Sequence, residues 1–281
     1  MNFKNNIFFQ KVRDYSVSKE IFELHQNAEY DMLLTYPRPS LDKLPSYYES
    51  QDYISHTDGK RSVFEILYQS IKKIALKNKL KLINSKFNKG RLLDIGAGTG
   101  DFLVVAQKNG WQVKGIEPSE KAKTIAIGKG VGFAQNLSEL ESQSFDVITM
   151  WHVLEHVPNL DEYLSELKRL IKPNGTIVVA VPNFKSFDAE FYGKYWAAYD
   201  VPRHLWHFSK TAIEKLFAEK EMKVEEVLPM KFDSFYVSLL SEKYRTGRMN
   251  FIRAFFVGLQ SNLEGKKTKE YSSHIYIIKS R

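Results

Sequence analysis

Three glycines alternate at Gly96, Gly98 and Gly100, directly after the apolar run Leu92-Leu93-Asp94-Ile95. A strand entering such a turn and leaving as a helix brings backbone close to a ligand, because glycine has no Cβ and tolerates positive φ. Amides at the start of the next helix can then receive polar ligand groups. The spacing is G-x-G-x-G. Asp101 stands where a dinucleotide fingerprint needs its third glycine, and no Gly-Lys-Ser/Thr of a phosphate loop follows. An acid, Glu117, ends the next apolar run. At the carboxyl edge of a parallel sheet it can accept two hydrogen bonds from a ribose diol. The competing reading makes it the first acid of the following helix, held there by the dipole.

A second group follows the run Phe145–Trp151. It holds His152, Glu155 and His156, and four of the seven histidines and three of the four tryptophans lie between Trp151 and His207. In an open α/β sheet ligands bind beyond the carboxyl ends of strands. A Glu/His pair there can deprotonate a hydroxyl. His152 is the candidate for lining the reaction site, while His156 reads as a structural, hydrogen-bonding histidine. The spacing completes no metal-ligand motif, so no metal is expected. The 27-residue segment Pro182–Phe208 carries nine aromatics together with Asp200, Arg203, His204 and His207. One reading is a substrate wall of Tyr195, Trp196, Tyr199, Arg203 and His207 with His204 as base. The other is an Asp200–Arg203 pair that pins the loop.

The elements that must position these residues alternate. Strands are expected at Arg91–Ile95, Trp111–Glu117, Val131–Asn136, Phe145–Trp151, Thr176–Val181, Lys223–Leu228 and Ser273–Lys279. Helices are expected at Asp101–Asn109, Ser119–Gly128, Asp161–Ile171 and Ser209–Glu219. That rhythm means a parallel sheet covered on both faces, with right-handed connections. Ahead of it, Asp58–Lys86 reads as one long helix with Thr57 or Asp58 as cap, and Val12–Leu24 with Met32–Tyr36 as a short hairpin. The chain therefore divides into an N-terminal extension and lid helix over 1–86 and an α/β domain over 87–281, with insertions at 182–208 and 230–270. In the second insertion, Ile252, Phe255, Phe256, Leu259 and Leu263 share one helical face. Such a stripe packs on its own domain or on a second subunit more often than on a membrane.

Composition bounds the function. The 281 residues are 43% apolar and 26% charged, which excludes a globally disordered chain. There is no cysteine, so disulfides, thiolate zinc sites and thiol nucleophiles are excluded. No apolar run approaches a membrane span and the N-terminus has no secretory pattern, so a cytoplasmic location is expected. The net charge of +8 is uneven: +4 over 1–86, −2 over 87–230 and +6 over 231–281. A faintly acidic centre argues against a nucleic-acid partner.

Residues 90–230 resemble the class I S-adenosylmethionine-dependent methyltransferases. The resemblance rests on Asp94-Ile-Gly-Ala-Gly-Thr-Gly100, on Glu117, on the run Phe145 to Pro158 with its Leu-Glu-His-Val, and on Leu170-Ile-Lys-Pro-Asn-Gly175. It is most similar to the subgroup of ubiquinone-biosynthesis O-methyltransferases, which shares the D-x-P-R-H-L-x-H-F pattern seen from Asp200 to Phe208. The resemblance implies a Rossmann-like, doubly wound sheet of about seven mostly parallel strands with an antiparallel last strand. It implies S-adenosylmethionine as cofactor, with Asp94, Gly96, Ala97, Gly98 and Gly100 around its methionine part. Glu117 and Pro118 would lie at its ribose, Asn136 and Leu137 at its adenine, and Trp151 and His152 beside the methyl group. Tyr47, Tyr48 and Tyr53 are similar to an N-terminal aromatic lid. The implied activity is methyl transfer to a small molecule, at oxygen, by a monomer or homodimer, with His152 and His204 as catalytic candidates. A non-catalytic cofactor-binding module, a nicotinamide-dependent enzyme and a nucleic-acid methyltransferase are the rival readings.

Overall fold

The structure, a computed structural model, describes residues 3–48 and 63–280, and the side chains of 63–72 are outside that description. The expected caps Thr57 and Asp58 and the lid residue Tyr53 therefore lie outside the described residues.

In chain order the elements begin with strands β1 (Asn6–Arg13), β2 (Ile21–Asn27) and β3 (Met32–Tyr36), followed by helix α1 (Val63–Lys86). The α/β alternation runs β4 (Arg91–Ile95), α2 (Asp101–Lys108), β5 (Gln112–Ile116), α3 (Glu120–Gly128), β6 (Phe145–Trp151), α4 (Leu160–Leu170) and β7 (Ile171–Pro182). Then come α5 (Phe187–Tyr192), β8 (Trp206–His207), α6 (Lys210–Ala218), β9 (Met222–Pro229), α7 (Asp233–Thr246), α8 (Phe251–Thr268) and β10 (Ser273–Ser280).

The main sheet has six strands in the order β5-β4-β6-β7-β10-β9, mostly parallel, with β10 antiparallel. The expected strand Val131–Asn136 shrinks to a single parallel bridge between Phe133 and Gly115. The Phe133 ring occupies the space over Gly115: a Cβ there would stand 2.6 Å from it. A smaller sheet, in the order β1-β2-β3-β8, is an addition. The expected hairpin is a three-stranded antiparallel meander, and its first turn falls inside Val12–Leu24. Asp14 makes that turn, accepting hydrogen bonds from the amides of Ser16, Val17 and Ser18 at 2.7–3.0 Å.

The chain forms two compact units that interleave along the sequence. One comprises Met1–Ser50, His152–Leu164 and Val179–Ile278, the other Gln51–Trp151, Ser165–Val178 and Lys279–Arg281. In the second unit, β4 is flanked by β5 on one side and β6 on the other, both parallel to it. The chain thus leaves β4 in one direction and later returns on its other side, which places a switch point at the carboxyl end of β4. The core there is Leu92, Leu93, Ile95, Phe102, Leu103, Ala106, Val147, Ile148 and Met150, all buried. In the first unit, the segment expected as a long loop is built into the core. Trp196, Tyr199 and Tyr192 pack with Phe22, Leu24 and Leu33 of the small sheet. Its backbone carries α5 and two short 3₁₀ turns.

Candidate functional site: a glycine corner and a histidine cluster

In the second unit the turn after β4 is held by its own backbone. The Gly96 and Ala97 amides donate to the Ile116 carbonyl at 2.8 and 3.1 Å, and the Gly100 amide donates to Ala97 at 2.9 Å. Gly96, Gly98 and Gly100 all take φ between +54° and +74°. Two of them matter for different reasons. A Cβ on Gly100 would stand 2.7 Å from Cβ of Ala126, so this glycine lets α3 close on the turn. Among the described residues a Cβ on Gly98 would meet nothing within 4 Å. Gly98 therefore borders space left open by the described residues at the switch point, and no side chain of theirs caps the start of α2 beyond it.

Glu117 points into this corner. Its Oε2 accepts the Gly98 amide at 2.8 Å and its Oε1 accepts the Ser119 amide at 2.9 Å. Each oxygen retains a second lone pair for a ligand hydroxyl. Ser119 caps α3 by accepting from the Ala122 amide, so Glu117 does not serve as the cap. Asp94 lies on β4 opposite Thr149 of β6, whose hydroxyl donates to Asp94 Oδ1 at 2.6 Å. Burial raises the Asp94 pKa to about 7, against the opposing pull of that hydrogen bond and of Lys79. Trp151 ends β6 with its ring against Phe102 and beneath the Lys79 ammonium, 4.5 Å from the centroid. Its indole nitrogen is buried and has no hydrogen-bond partner among the described residues. Leu137 is buried, while Asn136 is exposed and donates to Glu139 at 3.1 Å. Pro118 is exposed at the turn from β5 into α3.

A methyl donor with a nucleoside half fits this corner on two observations. The space that a Cβ on Gly98 would enter is open, and a carboxylate is fixed beside it at the tip of β5.

The first unit holds the histidine cluster. His152 adopts φ +57°, a conformation a non-glycine residue holds only where its surroundings impose it. Its Nε2 lies 2.9 Å from Asp233 Oδ2, and its Nδ1 lies 3.4 Å from Glu155 Oε1, an ion-pair distance without hydrogen-bond alignment. Burial opposes the charge on His152, yet Asp233 and Glu155 outweigh it and raise its pKa to about 10. A third of the side chain remains exposed, so solvent screens part of both attractions. His152 is thus an imidazolium at neutral pH.

Glu155 is 1% exposed, and neither carboxylate oxygen has an aligned hydrogen-bond partner among the described residues. Burial alone would raise its pKa, but the imidazoles of His152, His204 and His156 drive it below the ordinary range. His204 is the opposite case. Burial and its histidine neighbours push it well below the usual imidazole value. Its Nδ1 lies 2.9 Å from the Ala198 carbonyl, to which it donates as Nδ1–H, so Nε2 carries the lone pair, 3.9 Å from Glu155 Oε1. His156 Nδ1 meets the Arg203 carbonyl at 3.0 Å and the Tyr48 hydroxyl at 3.1 Å, in keeping with its expected hydrogen-bonding role. Glu155, His156 and His204 each offer one donor atom, and the three lie within 4.8 Å of one another. The spacing argument against a metal-type cluster missed this group because His204 comes from a distant segment.

The other residues of the expected wall have protein partners. Trp196 is 2% exposed and its indole donates to Asp188 at 2.8 Å. Tyr199 is buried with its ring edge-on to His207. His207 Nε2 lies 3.1 Å from the Thr35 hydroxyl, and burial pushes its pKa down to about 3. Arg203 donates to Asp200 at 2.5 Å, the loop-pinning pair, while Tyr195 is half-buried and tilts on Tyr15. Asp233, Thr149 and Lys79 were not singled out by the sequence. The only available signals were an acid in the first turn of α7 and the strand register that sets Thr149 beside Asp94.

The α/β sheet with a glycine turn at its switch point defines a nucleotide-ligand class of protein. A family profile described as "Methyltransferase domain" matches residues 67–227. The chain belongs to that family. Among curated proteins it is 32% identical over 132 residues to a ubiquinone biosynthesis O-methyltransferase of Maricaulis maris, a match covering 43% of this chain and 52% of that one. It is 30% identical over 163 residues to the protein of the same name from Actinobacillus pleuropneumoniae, covering 50% and 69%. The match thus spans about half the length of the Maricaulis relative. Among solved structures, magnesium protoporphyrin IX methyltransferase from Synechocystis PCC 6803 aligns over 86% of this chain and 100% of its own, at 14% identity and a TM-score of 0.56. Phosphoethanolamine N-methyltransferase 2 from Haemonchus contortus aligns over 97% and 71%, at 15% identity and the same TM-score. These two share the fold.

Proposed function

We propose that the chain is an S-adenosylmethionine-dependent methyltransferase that acts on a hydroxyl of a small molecule. The observation that carries this reading is the open space at Gly98 beside the fixed Glu117 carboxylate. The names of the curated relatives support the choice of oxygen. The cofactor, when bound, supplies an electrophilic methyl on a sulfonium, so that the new C–O bond forms as the S–CH₃ bond breaks.

Every other task falls to the chain's residues. Glu117 accepts the ribose hydroxyls through its spare lone pairs, and Asp94 accepts the ammonium of the methionine part, an interaction that favours its ionised form. Gly98 and its neighbours Gly96 and Ala97 leave room for the cofactor, Gly100 keeps that turn in shape by letting α3 close on it, and Pro118, Asn136 and Leu137 flank the nucleoside. Trp151 offers its indole N–H. His204, neutral with a lone pair on Nε2, is suited to accept the proton of the acceptor hydroxyl. His152, protonated, is suited to hold the developing oxyanion. Tyr195 and Arg203 are the residues of the expected wall that keep some exposure for acceptor contact.

Titration calorimetry with S-adenosylhomocysteine tests the reading. The intact chain binds it, and Glu117→Gln weakens binding at least about tenfold, since hydrogen bonds to a charged acceptor contribute roughly 1.5–3 kcal/mol each. Binding of NAD without S-adenosylhomocysteine overturns it. Binding without release of S-adenosylhomocysteine from S-adenosylmethionine, across a panel of phenols and alcohols, assigns the chain to the non-catalytic class instead.

A further inference from the structure

Helix α8, which packs on α7, carries its side chains in an inverted order. Its buried face is made of small residues, Ala254, Val257, Gly258, Ser261 and Gly265, and α7 buries Ser234, Val237, Ser238, Ser241 and Glu242. The two helices touch at Gly258, where a Cβ would stand only 3.0–3.1 Å from the Phe235 backbone. On α8 the large apolar residues point outward, whereas Leu240 and Tyr244 of α7 pack on the core. Ile252 is 74% exposed and Phe256 62%, and Phe251, Phe255, Leu259 and Leu263 are exposed along the same helix. Phe232 and Tyr236 add to them at the start of α7. The stripe, expected to pack on its own domain or on a second subunit, does not pack on its own domain. A water-facing helix normally places such residues inside, and a contiguous exposed set of this size marks a contact surface.

Charge indicates what the surface meets. Residues 230–268 hold seven lysines and arginines against three acids. Each acid is engaged within the protein. Asp233 pairs with His152, Glu242 is fully buried beside Arg253 at 3.3 Å, and Glu264 pairs with Lys267 at 2.9 Å. The outward side is therefore apolar and cationic. A symmetric dimer would set this patch against itself, cation facing cation, which disfavours a second copy. An anionic bilayer surface complements both features, taking the phenyl and aliphatic groups into the acyl boundary and the cations at its headgroups. We propose that the outer face of α7 and α8 docks the protein on an anionic lipid surface.

Flotation of the full chain with vesicles tests this, using phosphatidylcholine alone and phosphatidylcholine mixed with phosphatidylglycerol. The protein floats with the mixed vesicles, and at least about tenfold less with neutral ones or in high salt. The double variant Ile252→Ser/Phe256→Ser alters only highly exposed side chains. It retains the circular dichroism and melting of the parent, and its affinity for mixed vesicles falls at least about tenfold. Arg248→Gln/Lys266→Gln lowers binding by a smaller factor. Failure to float with either vesicle, or equal flotation with both, overturns the proposal. So does a dimer in sedimentation velocity that Ile252→Ser/Phe256→Ser dissociates, because the face then belongs to a second copy.

Discussion

Asp94 and Glu155 are both carboxylates buried to 3% exposure or less, one in each compact unit, and they end in opposite charge states. Asp94 sits between parallel strands with one hydroxyl donor and holds its proton up to about neutral pH. Glu155 has no aligned donor among the described residues, yet the His152 imidazolium beside it keeps it ionised. Burial pushes both the same way; the neighbours decide the outcome. The first arrangement leaves a group whose charge a bound cation can switch. The second leaves an anion that helps to fix the charge of His152 beside it.

Glu155→Gln breaks that contrast most strongly. Removing Glu155 costs about 3 kcal/mol, the low end of the cost of breaking a buried pair, because the imidazolium keeps Asp233 as its remaining counter-charge. Urea unfolding at neutral pH measures the loss, and a proton NMR titration of His152 shows its pKa falling from its raised position while Asp233 still supports it. For His152 the sign is that of a raised base: its contribution is complete below about 6.5 and fades as pH rises through about 10. The parent should therefore weaken over that window more steeply than Glu155→Gln. Equal slopes would remove the Glu155–His152 coupling from the account.

Asp94→Asn is expected to act in the opposite direction. The folded chain holds the Asp94 proton to about 7, whereas the unfolded value is 3.8, so the folded state binds more protons between them. Parent stability then falls as pH rises from about 4 to 7 and is flat above, by a few kcal/mol at most. The amide in Asp94→Asn keeps an oxygen for the Thr149 hydroxyl and carries no charge. The variant is therefore the more stable of the two at pH 7, by about 3 kcal/mol, and lacks that slope. It also weakens binding of S-adenosylhomocysteine, which separates fold from function. A variant less stable than the parent at pH 7 would mean that Asp94 is already ionised there.

The difference between the two regions also sets what the sequence could reveal. The glycine corner is local: three positive-φ positions, a strand before and a helix after, with Glu117 one strand away, all follow from turn chemistry and strand order. The histidine cluster depends on folding at long range. His204 reaches Glu155 only because Pro182–Phe208 forms core, with Trp196 tied to Asp188, rather than a surface loop. Asp233 sets the charge of His152 from an insertion with no motif or spacing that ties the two together. The α8 stripe shows the same limit. Its periodicity marked the helix and its apolar face correctly, but periodicity cannot say whether that face looks in or out. The small residues on the other face decided that.

The smallest effects sharpen the comparison within the corner itself. Gly98 and Gly100 have similar positive φ, +54° and +74°, so replacing either by Ala incurs the same left-handed strain of about 1 kcal/mol. Only Gly100→Ala also drives a methyl to 2.7 Å from Ala126, and it should lose about 2 kcal/mol in total as α3 is forced from the turn. Gly98→Ala should lose only the strain, since its methyl enters open space. In the binding assay the order reverses in kind: Gly98→Ala puts its methyl where the ligand would lie, so its affinity for S-adenosylhomocysteine falls by more than its stability accounts for. Thermal melts and calorimetry on the pair measure both quantities. If Gly98→Ala binds as the parent does, the space beside Gly98 is not the cofactor's, and the open corner loses its meaning.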